Sequence, residues 1–109
     1  MSTLHQVKQN LLFYTLWTEV QEISLPSGTV LSGKPHNKLL GDDTEQGLEI
    51  VLPARIGEEL SPKRLNTIFS DMQQAQGTRP KRLIIGIVND DSTVVYYFIH
   101  DGLVKPKKN

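Results

Sequence analysis

Apolar residues recur through the opening segment at helical spacing. Leu4, Val7, Leu11 and Tyr14 mark one stripe and Leu12, Phe13, Leu16 and Trp17 widen it, so a helix is predicted from Thr3 to about Leu16. Thr3 followed by Gln6 matches a capping box at its start. The pattern turns strand-like from Thr18 to Leu25, breaks at Pro26-Ser27-Gly28, and resumes in Thr29-Val30-Leu31 as the start of a short returning strand. Residues 32–47 are polar and glycine-containing and read as a mobile loop. Leu48, Ile50 and Leu52 then alternate with Glu49 and Val51, a strand expected to stop at Pro53.

The second half is more sharply patterned. Ser61 stands as an N-cap, Pro62 fills the first helical position, and Gly77 lies just past the end. Between them Leu65, Ile68, Phe69 and Met72 share one face, while Lys63, Arg64, Gln73 and Gln74 mostly face water. Leu83 to Val88 is a branched apolar run too short for a typical helix, which predicts a central strand. Asn89-Asp90-Asp91-Ser92 turns, and Thr93 to Ile99 forms a second strand, giving a hairpin with a loop of about four residues. The order of elements predicts an α+β fold, a small mixed and mostly antiparallel sheet packed against helices. With 109 residues, a single domain over 1–109 is expected, with a flexible loop near 32–47 and a flexible basic tail near 104–109.

Composition removes several chemistries. Twelve basic and twelve acidic side chains cancel, which argues against polyanion binding as the whole task. Residues 1–54 hold three basic and six acidic groups and residues 55–109 hold nine and six, so a basic face belongs in the second half. Arg79, Lys81 and Arg82, tied to the start of a buried strand, are the candidates to face RNA. Lys105, Lys107 and Lys108 read as a solubilising tail. The absence of cysteine excludes disulfides, thiolate chemistry and Cys-containing zinc sites. His5, His36 and His100 lack metal-ligand spacing, and Ser32-Gly33-Lys34 lacks the rest of a phosphate loop. No serine sits in a nucleophile elbow. No catalytic, cofactor-binding or metal-binding residue is assigned. No stretch approaches membrane-spanning length, and a soluble intracellular protein is the expectation.

The closing strand is apolar on both faces. Val95, Tyr97 and Ile99 alternate with Val94, Tyr96 and Phe98. Either a helix and the wrapped chain cover both faces, or one face builds a protein interface. In a chain with 38% hydrophobic residues, so much apolar surface on one strand favours assembly. Asp90 and Asp91 either solvate their turn or meet a basic pocket on a partner.

Leu83-Ile-Ile-Gly-Ile-Val-Asn-Asp-Asp-Ser-Thr-Val-Val-Tyr-Tyr-Phe-Ile-His-Asp-Gly-Leu103 resembles the closing hairpin of the tRNA-intron endonuclease family, and within it the smallest, non-catalytic subunits of the eukaryotic splicing enzyme. Leu48-Glu-Ile-Val-Leu-Pro53, Leu60-Ser-Pro-Lys-Arg-Leu65 and Leu11 to Val20 extend the likeness over most of the chain outside 32–47. The resemblance implies the fold of the C-terminal domain of those endonucleases. Their catalytic subunits cleave without metal through a tyrosine, a histidine and a lysine. A base, an acid and a cation suit attack of a 2′-OH on the adjacent phosphodiester. Lys81 or Arg82 falls near the lysine position, yet no histidine lies between 37 and 99 and no tyrosine between 15 and 95.

The likeness therefore implies a structural subunit without cofactor, one that supports excision of introns from pre-tRNA by its catalytic partners. It further implies that Asp90 and Asp91 insert into a basic pocket of a neighbour. Val94, Val95, Tyr96, Tyr97, Phe98 and Ile99 then form the pairing surface. The implied partners are the catalytic and structural subunits of the complex, most directly the smaller catalytic one, with pre-tRNA reached through the assembly. Nuclear localisation follows, with cytoplasmic or organelle-surface association in some lineages. Homodimerisation of the isolated chain stays open. The alternatives are an active endonuclease, a free-standing RNA-binding module using Arg79–Arg82, and an unrelated protein that homodimerises through its hairpin.

Overall fold

The computed structural model describes residues 2–35, 48–77, 80 and 82–100. Its elements are α1 (Thr3–Phe13), β1 (Thr18–Leu25), β2 (Gly28–Lys34), β3 (Glu49–Arg55), α2 (Pro62–Gln76), β4 (Arg82–Val88) and β5 (Val94–His100). The five strands form one sheet in chain order. β3 and β4 run parallel, with α2 as their crossover, and the other neighbours are antiparallel. The fold is α+β with a mixed, mostly antiparallel sheet, as the element order predicts.

β3 and β4 have apolar side chains on both faces, so both faces must be covered. On one face Ile50, Leu52, Ala54, Leu83 and Ile85 pack with Leu65, Ile68, Phe69 and Met72 of α2. On the other, Val51, Ile84 and Val88 pack with Val7 and Leu11 of α1 and with Trp17. The helices therefore lie on opposite sides of the sheet. Gly86 permits the close approach of α1: a Cβ there would stand 3.1 Å from Val7, 3.2 Å from Tyr96 and 3.3 Å from Val51.

α2 follows its sequence signals. Ser61 Oγ accepts the Arg64 N–H at 3.1 Å, and Gly77 takes a left-handed φ of 83° while its N–H bonds Gln73 O at 2.8 Å. Asp71 on α2 accepts from Ser27 N–H at 3.1 Å and Ser27 O–H at 2.6 Å, which fastens the β1–β2 turn to the helix.

Four boundaries differ from expectation. The cap of α1 is Ser2, whose side chain accepts the His5 N–H, not Thr3. α1 ends at Phe13 because Leu16 adopts a φ of 59° and Trp17 N–H turns back to Leu11 O at 2.8 Å, carrying the indole into the core. Tyr14, expected in the buried stripe, is left 82% exposed.

β2 continues through Ser32, Gly33 and Lys34, the first residues of the expected loop. Gly33 fits there because Trp17 stands 2.8 Å from where its Cβ would be. Loop residues 36–47 lie outside the described residues, as does the tail at 104–109. β3 runs through Pro53 because β2 pairs with it only from Glu49 to Val51, so Pro53 interrupts no β2–β3 ladder. Among the described residues no helix is long and apolar enough to cross a membrane.

Gly86→Ala inserts a methyl group into this contact and should lower stability by about 1–3 kcal/mol. Urea unfolding is expected to show a lower midpoint with an unchanged slope. An unshifted midpoint means that α1 does not press on the sheet at this point.

Candidate assembly surface

β5 pairs with β4 at every position from Arg82↔His100 to Val88↔Val94, and its outer edge has no strand neighbour among the described residues. Its alternating side chains separate two environments. Val94, Tyr96 and Phe98 turn toward α1 and pack against that core. The Tyr96 hydroxyl donates to Asn10 Oδ1 at 2.6 Å, and burial pushes the phenol pKa above its ordinary value. On the α2 side, Val95 is 39% and Tyr97 53% exposed, whereas Ile99 reaches the rim of the α2 core. Of the six strand residues singled out in the sequence, Val94, Tyr96 and Phe98 thus serve the intramolecular core, and Val95 and Tyr97 are presented outward.

The opposite edge is built differently. β1 exposes Thr18, Glu19, Gln21, Glu22 and Ser24. Its pairing with β2 shifts register between Thr18 and Gln21, and Glu19 has a φ of 55°. Charges and an irregularity of this kind discourage strand addition. The sheet offers an apolar edge at β5 and a polar one at β1.

The turn before β5 has its own bonding. Asn89 N–H reaches Thr93 O at 2.8 Å, and Ser92, with a φ of 73°, returns its N–H to Asn89 O at 3.0 Å. Asp91 Oδ1 accepts from Thr93 O–H at 2.7 Å and Thr93 N–H at 3.1 Å. These two bonds, the hydroxyl first, hold its carboxyl below the ordinary 3.8. Asp91 is thereby part of the turn's frame, and Asp90 is exposed at the tip.

Of the candidate RNA-facing residues, Arg79 and Lys81 lie outside the described residues. Arg82 is engaged within the fold. Its Nε and Nη2 donate to the two carboxylate oxygens of Glu49 at 3.0 and 2.7 Å, and the side chains are only 11% and 15% exposed. Its guanidinium also stands 5.3 Å from the Phe98 ring centre, so one side chain ties together β3, β4 and β5. Nothing local in the sequence pairs Glu49 with Arg82; the parallel alignment of β3 and β4 brings their first residues side by side. His5 and His100 are exposed, and among the described residues no three His, Asp or Glu side chains form a metal-binding group. Phe13 at the end of α1 and Tyr14 and Leu16 just after it, which the sequence places on the apolar stripe of a longer helix, are 69%, 82% and 54% exposed.

Comparison with known proteins gives a consistent result. A family model described as Sen15 protein matches residues 6–109. The chain is 36% identical over 107 residues to tRNA-splicing endonuclease subunit SEN15 of Eremothecium gossypii, covering 94% of this chain and 87% of that protein. It is 38% identical over 90 residues to the probable tRNA-splicing endonuclease subunit sen15 of Schizosaccharomyces pombe, with 73% and 60% covered. With tRNA-splicing endonuclease subunit Sen15 of Mus musculus it shares 33% identity over 93 residues, covering 83% of this chain and about half, 52%, of that protein.

The Asp91 carboxylate accepts both Thr93 bonds more strongly than the neutral acid does. The added stabilisation is therefore fully present at pH above 3.8 and is lost as pH falls through the lowered value. An NMR titration of the Thr93 amide should show a midpoint below 3.8, and a midpoint at or above it removes Asp91 from the turn's frame.

Proposed function

Since the chain belongs to the Sen15 family, we propose that it is a non-catalytic, structural subunit of a tRNA-splicing endonuclease. In that role β5 and the turn before it join the chain to the other subunits, most directly the smaller catalytic one. It supports intron excision by positioning catalytic domains and does not attack RNA itself.

The observation that carries this reading is the contrast between the two sheet edges. A strand with exposed Val95 and Tyr97, and an outer edge without a strand neighbour among the described residues, suits pairing with a neighbour's strand. The charged, irregular edge at β1 does not. The same hairpin presents Asp90 at its tip, where a negative charge suits a basic pocket.

The chemistry of the described residues supports the structural role. Lys81 and Arg82 both fall near the position of the family's catalytic lysine; Lys81 lies outside the described residues, and Arg82 is held bidentately by Glu49, so its charge is already compensated. The sequence also places no histidine between 37 and 99, where the family's acid belongs.

Co-expression with the other endonuclease subunits of its source organism should yield a heteromeric complex containing this chain. Asp90→Lys is expected to weaken that association by roughly tenfold or more, with the melting temperature of the isolated chain unchanged. Unaltered affinity of Asp90→Lys counts against the inserted turn. Multiple-turnover cleavage of intron-bearing pre-tRNA by the chain alone ends the structural assignment.

A further inference from the structure

Building on the assignment of β5 as an assembly surface, we infer that this surface has a second half, remote in sequence: Phe13 and Tyr14 at the end of α1 meet the same protein subunit that docks along β5. The orientation of α1 follows from two contacts. Lys8 Nζ reaches Glu22 of β1 at 3.3 Å on one flank, and Asn10 accepts from Tyr96 of β5 at 2.6 Å on the other. With 3.6 residues per turn, Tyr14 lies one turn beyond Asn10 and between it and the buried stripe of Val7 and Leu11; Phe13 lies on the outer side of the same flank. Both aromatics therefore belong to the β5 side of the molecule. They remain exposed because α1 stops at Phe13 and the chain turns away through Leu16.

Area and charge identify the occupant. At 39% and 53% exposure, Val95 and Tyr97 offer on the order of 200 Å² of side-chain surface, against about 800 Å² per partner in a stable interface. Phe13 and Tyr14, at 69% and 82%, roughly double that apolar contribution on the other side of the strand. Neither Asn10, Phe13 and Tyr14 nor Val95, Tyr97 and Ile99 supplies a cation, and Lys8 lies on the far flank against Glu22. A neutral apolar surface around a strand edge that has no neighbour among the described residues fits a folded protein subunit that contributes a strand, not the phosphates of RNA.

The test compares the full-length chain with a Phe13→Ser/Tyr14→Ser double variant, Tyr97→Ser, and Gln21→Ala on the opposite edge. The readouts are affinity for the recombinant smaller catalytic subunit and melting temperature. The double variant and Tyr97→Ser should each weaken binding by about tenfold or more, and Gln21→Ala should leave it unchanged. If the double variant melts lower than the parent, Tyr14→Ser alone carries the test. Weakening by Tyr97→Ser with parental binding by the aromatic variant overturns this inference and leaves the β5 reading standing. Parental binding by Tyr97→Ser as well, or no binding by the parent chain, removes the β5 reading too. Undiminished subunit affinity combined with reduced pre-tRNA binding by the complex makes the aromatic pair an RNA surface and also overturns the inference.

Discussion

The structure depends on the parallel alignment of β3 and β4. Parallel neighbours cannot be joined by a tight turn, so α2 must cross one face of the sheet between them. Their side chains are apolar on the opposite face as well, and α1 has to cover that one. Gly86 at the middle of β4 lets α1 settle against the sheet, where a larger residue would meet Val7, Val51 and Tyr96. The ion pair between Glu49 and Arg82, set side by side by the same alignment, closes one end of the strand pair.

Once both faces of the centre are occupied, exposed strand surface remains at the margins, and the two margins are unlike. β1 faces outward with glutamates and an interrupted register. β5 faces outward with Val95, Tyr97 and an edge unpaired among the described residues, beside a turn whose internal bonds hold Asp91 and leave Asp90 exposed. This asymmetry gives the sheet one side suited to growth and one protected against it.

How much of this was legible in the sequence follows from whether the signal was local. α2 could be read almost to the residue because Ser61, Pro62 and Gly77 carry their instructions within one turn of each end. β4 and β5 were legible from branched and aromatic runs. The end of α1 was not, since it depends on Trp17 finding the core beside Gly33. Pro53 misled because a proline's effect on a strand depends on where its neighbour stops. The two apolar faces of β5 were visible beforehand, but which one stays open depended on α1 crossing over Tyr96. Arg82 looked available as a charge because its partner, Glu49, is distant in sequence.

The central claim is that the outer edge of β5 is an assembly edge, and amide hydrogen exchange tests it most directly. Exchange is compared between the isolated chain and the chain bound to its endonuclease partners. The account predicts new protection at the outward-facing amides of β5, where partner backbone groups replace water, with the β1 amides exchanging as before. Unchanged exchange along β5 in a complex that contains the chain, or protection at β1 in its place, contradicts the account.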